Sequence, residues 1–147
     1  MNPWVVDTGV LLKAVLVEEG TRESMTLLDA AASGRIRLVA PEFGLLEFAN
    51  VLWKAEHRGY LPAPRVEEVL EDLPGWRIQW APAQPLLRRS VFFARATGQG
   101  VYDGVFLALA ERIGASFATA DARLLAACAG KFESVVPLSE VIARFRP

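Results

Sequence analysis

Four acidic residues that lie far apart in the sequence are the strongest candidates for chemistry in this chain: Asp7, Glu47, Asp103 and Asp121. Carboxylates about 4 Å apart repel by roughly 4 kcal/mol per pair at an effective dielectric near 20, so a bare cluster would hold protons at neutral pH. A hard divalent cation removes that cost, and carboxylate oxygens select Mg²⁺ or Mn²⁺ over softer ions. If the four side chains converge, we expect them to bind such a cation. A pair of these ions, about 3.5 to 4 Å apart, stabilises both the attacking and the leaving oxygen of a phosphodiester.

Other metal sites are excluded by the counts of two residue types. Cys128 is the only cysteine and His57 the only histidine among the 147 residues. A zinc site of cysteine and histidine needs several such ligands, and an intrachain disulfide needs two cysteines. Any metal in this chain must therefore be held by oxygen.

Two of the acids follow short apolar runs that are typical of buried strands. Asp7 comes directly after Trp4-Val5-Val6, and Asp121 comes just after Phe117-Ala118-Thr119. Ligands of open α/β sheets bind outside the carboxyl ends of the strands, which favours a functional position for both acids. An Asp after a strand is also a good N-cap for the next helix, so capping remains an alternative for each.

Asp103 lies in a helical pattern that runs over 102–113. At about 100° per residue, it falls at the edge of the apolar arc formed by Phe106, Leu109 and Ile113. A carboxylate there would be partly desolvated, which is costly unless it is capped, paired or bound to metal. Asp103 could equally be the N-cap of this helix, and the helix alone does not decide.

Glu47 has the least support from its own helix. It falls on a polar stripe of the segment 42–58, together with Asn50, Lys54 and Arg58. Periodicity therefore favours a side chain that faces solvent. Asn50 lies three residues on, so it shares the surface of Glu47 under either interpretation.

Strand and helix patterns alternate along the chain. We predict strands at 4–6, 35–40, 76–80, 116–119 and 134–138, with a polar loop at Asp7-Thr8-Gly9. We predict helices at 21–32, 42–58, 65–73, 85–96, 102–113, 124–129 and 139–145. Parallel strands need crossover helices. We therefore expect one α/β domain over residues 1–147, with a mainly parallel five-stranded sheet and helices on both faces.

Composition adds limits on partners and location. Apolar residues make up 52% of the chain and the mean hydropathy is +0.26, which is rich for a soluble domain and suggests apolar surface reserved for partners. No stretch approaches the roughly 20 apolar residues of a membrane span, and the opening MNPWVVDTG lacks a basic signal region, so we expect a cytoplasmic protein. A net charge of -1 and a pI near 5.9 predict that any nucleic-acid contact is local.

The segments around the acids carry a family resemblance. They are VVDTGVLL with Asp7, EFGLLEFANVLWKA with Glu47 and Asn50, VYDGVFLALAERIG with Asp103, and ATADARLL with Thr119 and Asp121. In order and spacing they resemble the PIN-domain ribonucleases, and among these the toxins of the VapBC toxin-antitoxin class. The resemblance runs from Trp4 to about Leu138, and the last two segments are its most specific part.

The resemblance implies a sheet whose carboxyl ends bring the acids together around Mg²⁺ or Mn²⁺, with the three aspartates near the metal and Glu47 entering from its helix. Thr8 or Thr119 would support the site by hydrogen bonds, and Asn50 would lie beside Glu47. The implied reaction is hydrolysis of single-stranded or looped RNA by in-line attack of water, without a covalent enzyme intermediate. Proteins of this class form homodimers and bind an antitoxin whose tail covers the acidic cleft.

Two positions depart from the family pattern. Gly9 stands where many relatives carry a small hydroxyl residue, and Arg123 stands where some carry a further acid. The first departure weakens the expected support around Asp7. The second indicates a site of four acids.

Other functions compete with a nuclease. A haloacid-dehalogenase-like phosphatase would show Asp-x-Asp after the first strand, where this chain has Asp7-Thr8-Gly9, and a receiver domain would carry an Asp near Trp80-Ala81-Pro82. No Gly-rich run ends in Gly-Lys-Ser/Thr, so a P-loop is absent. A non-catalytic interaction module is disfavoured by the retention of all four acids. A PIN-fold RNA-processing nuclease outside a toxin-antitoxin pair remains an alternative.

Aromatic and basic side chains are further candidates for RNA binding. Trp4, Trp53, Trp76 and Trp80 could stack on unpaired bases, although core packing is favoured for Trp53 because it lies on the apolar side of its helix. Arginine suits bidentate phosphate contacts, and most arginines are expected at the solvated surface. The candidates for the RNA groove are Arg35, Arg37, Arg88, Arg89 and Arg123.

Overall fold

The computed structural model of the protein describes residues 2–144, and its centre is a five-stranded sheet. The strands are β1 (Asn2–Val6), β2 (Ile36–Pro41), β3 (Ile78–Ala81), β4 (Ser116–Thr119) and β5 (Val135–Pro137). Their order is β3-β2-β1-β4-β5, and each neighbouring pair is parallel. The predicted α/β class with a mainly parallel sheet is thus confirmed. The order reverses between β1 and β4, and a crevice forms at the carboxyl ends of two such strands.

Helices connect the strands and cover the sheet. They are α1 (Thr8–Leu12), α2 (Thr21–Ala32), α3 (Gly44–His57), α4 (Ala63–Asp72), α5 (Leu87–Thr97), α6 (Val101–Ile113), α7 (Ala122–Cys128) and α8 (Val141–Arg144). Short 3-10 helices occupy Leu73–Trp76, Gln84–Leu86 and Leu138–Glu140. Within residues 2–144, no helix has the length and apolar character needed to cross a bilayer.

Both faces of the central strand β1 are buried, which explains why Trp4-Val5-Val6 is an apolar run, whereas the edge strand β3 alternates and is only partly buried. On β1, Trp4 and Val6 pack into a core with residues of α1, α2, α3, α4 and α8. Val5 points the other way, into a core that α5, α6 and α7 supply. The predicted helices on both faces of the sheet are therefore confirmed.

Helices α5 and α6 approach each other unusually closely at Gly104. A Cβ atom at this position would lie 2.2 Å from the backbone carbonyl oxygen of Ser90, so only glycine fits. Ser90 is itself fully buried, and its hydroxyl donates a hydrogen bond to the Leu86 carbonyl at 2.6 Å. This contact sets the position of α6, and hence of Asp103, the residue before Gly104.

Several predicted boundaries were wrong for local reasons. The expected loop after Asp7 is the short helix α1, whose first turn Asp7 caps. The helix predicted from residue 42 begins at Gly44, because β2 continues to Pro41. Strand β3 begins at Ile78 because Trp76 still belongs to a 3-10 helix and Arg77 has a left-handed backbone with φ 60°.

Two further helix boundaries also shift. Helix α7 begins at Ala122, earlier than predicted, because Asp121 supplies its cap. The last predicted helix, 139–145, starts as the 3-10 helix Leu138–Glu140 and continues as α8, while Phe145 lies outside the described residues.

The prediction of a core position for Trp53 was wrong. Its side chain is 55% exposed and stacks on His57, with ring centroids 5.3 Å apart. The buried side of α3 is centred on Phe48, Leu52 and Ala55, and Trp53 lies about 100° away from Leu52 around the helix. Among the other tryptophans, Trp4 is buried, and Trp76 and Trp80 are partly buried against the same core.

Candidate active site

A cleft of about 370 Å³ opens at the carboxyl edge of the sheet, and all four predicted acids line it. The acids come from four separate parts of the chain: the β1–α1 junction, α3, α6 and the β4–α7 junction. The lining residues are Asp7, Thr8, Gly9, Lys13, Glu18, Glu47, Asp103, Phe106, Ala120 and Asp121. The fold therefore brings together side chains that are more than 110 residues apart in the sequence.

Asp7 is held at both carboxylate oxygens. Its Oδ1 accepts a hydrogen bond from the Val10 backbone N–H at 2.8 Å, which caps α1. Its Oδ2 accepts a hydrogen bond from the hydroxyl of Thr119, which is fully buried. Val6 pairs with Ala118 in the parallel register of β1 and β4, so the next residues, Asp7 just after β1 and Thr119 at the end of β4, lie side by side.

Asp121 is joined to the same arrangement through Thr119. The Asp121 backbone N–H donates to Thr119 Oγ1 at 3.1 Å. Its own Oδ1 accepts from the backbone N–H groups of Arg123 and Leu124, at 3.0 and 3.1 Å, and so caps α7. The capping alternative is therefore correct for both Asp7 and Asp121, and each still lines the cleft. A carboxylate has about four lone-pair sites, so capping leaves acceptor capacity free.

Asp103 and Glu47 reach the cleft from helices. Asp103 is the third residue of α6, whose N-cap is Gly100, so the N-cap alternative for Asp103 was wrong. Its side chain is partly buried, as the helical wheel predicted, and no described residue donates a hydrogen bond to it. Glu47 lies in the first turn of α3 and is exposed, in line with its polar stripe, but that stripe borders the cleft.

The predicted supporting residues differ in their positions. Thr119 makes the hydrogen bonds described above. Thr8 is buried and lines the cleft, but its hydroxyl makes no hydrogen bond with a described residue. Asn50 is exposed on α3 and is not among the residues that line the cleft. A Cβ at Gly9 would lie 3.4 Å from Asp7 Oδ1, an ordinary contact, so the structure has room for a small side chain at this position.

The carboxylates lie close enough to perturb one another. Burial raises the pKa of Asp7, against the lowering effect of its bonds to Thr119 and Val10, and the charges of Asp121 and Asp103 raise it further. Burial likewise raises the pKa of Asp103, and Asp121 adds to this. The pKa of Glu47 is raised by desolvation and then by Asp7 and Asp103. The cleft thus disfavours its own negative charge and would gain from a cation.

The donor set determines which cation fits. In residues 2–144, no three or more His, Cys, Asp or Glu side chains are arranged to enclose a metal ion directly. The cleft offers carboxylate oxygens only from Asp7, Glu47, Asp103, Asp121 and Glu18. Mg²⁺ is usually bound through one or two carboxylates and keeps several waters. A wide acidic cleft therefore suits Mg²⁺ better than a closed structural site does.

Lys13 and Glu18 were not predicted for the site, yet both line the cleft. Lys13 Nζ lies 3.1 Å from Glu18 Oε1 and donates a hydrogen bond to the Glu19 carbonyl at 2.9 Å. The missed signal was helix α1: a helix that begins at Thr8 would have placed residue 13 less than two turns from Asp7.

Comparison of the sequence with known proteins identifies the family of the chain. The model of the PIN domain family matches residues 4–130. Ribonuclease VapC3 of Pyrobaculum aerophilum is 30% identical over 136 residues, which cover 90% of this chain and 96% of that protein.

Solved structures show the same fold. The Pyrobaculum aerophilum protein PAE2754 matches with a TM-score of 0.62 at 19% identity, over 97% of this chain and 94% of that one. A toxin-antitoxin complex from Klebsiella pneumoniae matches with a TM-score of 0.60 at 17% identity, over 91% of this chain and 96% of that chain. The resemblance seen in the sequence segments is confirmed, and the chain belongs to the PIN-domain family, within which it is similar to a VapC ribonuclease.

Proposed function

We propose that this chain is an endoribonuclease that depends on Mg²⁺ or Mn²⁺ and cleaves single-stranded or looped RNA. One observation carries the proposal. Four carboxylates from four parts of the chain line one cleft, and burial, together with the neighbouring acids, raises the pKa values of three of them. Such perturbed groups in a cleft are typical of functional sites. The similarity to a protein named Ribonuclease VapC3 supports the choice of RNA as substrate.

The side chains divide the work between them. Asp7, Asp103 and Asp121 would hold the ion, which supplies charge neutralisation and an acidified water when it is bound. Thr119 and the Val10 N–H orient the Asp7 carboxylate, so its geometry needs little reorganisation. Glu47 is exposed and has a raised pKa, so its carboxylate is a better base than an ordinary glutamate and would accept the proton of the attacking water.

The biological setting is proposed as the toxin of a type II toxin-antitoxin pair. The similar ribonuclease and the toxin-antitoxin complex of the same fold support this setting. Exposed apolar side chains offer area for an antitoxin and for a second copy of the chain. They include Val17, Leu46, Trp53, Tyr60 and Tyr102. A small upstream reading frame for a DNA-binding protein would support a toxin, whereas its absence would favour the alternative, an RNA-processing nuclease of the same fold.

The domain is proposed to span residues 1–147. The family match ends at residue 130, but β5 completes the sheet beside β4, and Val141 of α8 is fully buried in the core. Truncation after residue 130 should therefore expose core residues and destabilise the protein.

The decisive experiment is cleavage of single-stranded RNA by purified, partner-free protein. We expect cleavage with Mg²⁺ or Mn²⁺, none with EDTA, and a loss of at least about 100-fold for Asp103→Asn. Asp29→Asn is the matched control, because Asp29 is an exposed aspartate on α2 outside the cleft. The proposal fails if the protein binds no divalent metal and cuts no RNA, or if Asp103→Asn cuts as fast as Asp29→Asn.

A further inference from the structure

The negative charge of the acidic cleft repels RNA, the proposed substrate. Five carboxylates line the cleft, and each phosphate of a single strand brings a further negative charge. A divalent ion compensates only part of this charge. Among the described lining residues, one side chain is cationic, Lys13.

Lys13 also lies where two clefts adjoin. A second cleft, of about 290 Å³, shares Lys13 and Ala120 with the acidic one and runs past Thr119 over the end of β5. A strand that leaves the acidic cleft in this direction passes the Lys13 ammonium, the one cationic side chain in a described lining that also contains Glu19 and Glu23. The lysine side chain is 17% exposed, and the hydrogen bonds of its ammonium to Glu18 and to the Glu19 carbonyl both lie at the surface.

The present partner of Lys13 can be exchanged. Glu18 is 50% exposed, and ion pairs of this kind contribute little to stability. Glu18 also belongs to the 13–20 loop, which Thr21 holds by accepting from the Glu18 N–H at 3.0 Å and donating to the Lys13 carbonyl at 2.7 Å. Glu18 therefore neutralises Lys13 without locking it, and an RNA phosphate can replace the Glu18 carboxylate.

We propose that Lys13 binds the RNA phosphate between the two clefts and that Glu18 competes with that phosphate for the Lys13 ammonium. The proposal rests on the nuclease function proposed above and adds a substrate-binding residue to it. It predicts that the two members of one ion pair act in opposite directions. A purely structural ion pair would instead give the same loss from either side.

The test measures cleavage and binding of a single-stranded RNA oligonucleotide by three variants and two matched controls. Lys13→Met should raise KM about tenfold with kcat changed less than twofold, and should make the salt dependence of log Kd shallower by about 0.7. Lys13→Arg should restore most of the binding, whereas Glu18→Gln should lower KM about threefold. The loop after α7 supplies matched controls, Lys131→Met and Glu133→Gln, which make the same charge changes at exposed positions outside both clefts.

Each outcome decides between the explanations. If Lys13→Met and Glu18→Gln both lose activity and melt at lower temperature, the ion pair only stabilises the 13–20 loop, and the proposal is overturned. If Lys13→Met and Lys131→Met behave alike in an enzyme that cleaves RNA, Lys13 does not bind phosphate although the nuclease function stands. If the wild-type protein cleaves no RNA with either metal ion, both proposals fail.

Discussion

The two acids that follow strands and the two that lie on helices are held in the cleft in different ways. Asp7 and Asp121 share Thr119, and each accepts hydrogen bonds from the backbone of the helix that it caps. Asp103 and Glu47 accept no hydrogen bond from a described residue, and their positions depend on how α6 and α3 pack. The first pair is thus oriented atom by atom, while the second keeps oxygens free for water, metal or a proton.

This difference suggests a division of roles. Groups that are fixed before the ligand arrives lose little entropy when they bind, which suits metal ligands. Groups without hydrogen bonds keep their oxygens free, which suits Asp103 as a further metal ligand and Glu47 as the group that accepts a proton. The following predictions test the comparison, in order of decreasing effect on stability.

Gly104→Ala should have the largest effect on stability, because it displaces α6, the helix that carries Asp103. The new Cβ would meet the Ser90 carbonyl oxygen at 2.2 Å, so α6 must move away from α5 and carry Asp103 with it. We expect a loss of about 3 kcal/mol or more in the free energy of unfolding, measured by urea titration. Gly114→Ala, at the end of α6 where a Cβ meets no atom within 4 Å but φ is 64°, separates backbone strain from steric contact. If Gly104→Ala proves the milder of the two, the close approach is not what positions α6.

Thr119→Val should disturb Asp7 and Asp121, the two acids that follow strands. The substitution keeps the shape of the side chain but leaves Asp7 Oδ2 and the Asp121 N–H without their partner, at a cost of about 1 to 3 kcal/mol. The Thr119 bond lowers the pKa of Asp7, so its loss should raise that pKa and move the acid limb of the pH–activity profile to higher pH.

Two variants serve as controls for this prediction. Thr119→Ser should restore the acid limb of the profile because it keeps the hydroxyl. Thr8→Val removes a buried hydroxyl that makes no hydrogen bond with a described residue, so it should leave the profile in place. An unchanged acid limb in Thr119→Val would show that the threonine does not tune Asp7.

Asp103→Asn should stabilise the metal-free protein while it abolishes activity. A raised pKa means that the folded protein binds the proton more tightly than the unfolded chain, so stability falls as pH rises from the ordinary value of 3.8 through the raised one. At neutral pH the variant avoids this loss, a gain on the order of 1 kcal/mol that is limited by solvent screening.

The measurement is thermal unfolding in EDTA at several pH values. The difference in melting temperature between Asp103→Asn and wild type should increase as the pH rises. It should shrink or reverse when Mn²⁺ is added, because the ion stabilises the wild-type site. A difference that does not depend on pH would mean that repulsion between the acids is not its cause.

Glu47→Gln should have the smallest effect on stability. Its side chain is exposed and accepts no hydrogen bond from a described residue, so we expect a change within about 0.5 kcal/mol. Activity should fall sharply if Glu47 accepts a proton, and the loss should be largest in kcat. A marked drop in melting temperature, or full activity, would contradict the role of Glu47 as an exposed base.

Much of this architecture was predictable from the sequence because it depends on short-range patterns. Apolar runs indicated β1 and β4, alternation of residue types indicated β3, and helical periodicity indicated α2, α3, α5 and α6. The alternation of strands and helices along the chain predicted the parallel sheet. The boundaries that failed were set by single side-chain contacts, as where Asp7 caps α1 and Asp121 caps α7. The helical wheel could not place Trp53 because periodicity shows which residues are apolar but not how wide the covered side of a helix is.

The residues of the site could likewise be predicted only as far as short-range patterns reach. Position after a strand pointed to Asp7 and Asp121, and the family segments added Asp103 and Glu47, but the chain order held no sign that Thr119 would join two of them. That bond arises from the register of β1 against β4. Lys13 was missed for a similar reason, since its nearness to the acids depends on α1 and on the fold of the 13–20 loop.

By itself, the sequence determined the fold class and the oxygen-only donor set, because residue type and local period suffice for these. It indicated Asp7 and Asp121 by their positions after strands, and Asp103 and Glu47 through the family segments. Tertiary structure alone decided which oxygens are free, which acids raise one another's pKa, and that a lysine faces the carboxylates. These properties depend on distances between side chains that β1, β4, α3 and α6 bring together from remote parts of the chain. Burial and Coulomb interaction act over such distances in space and not along the sequence.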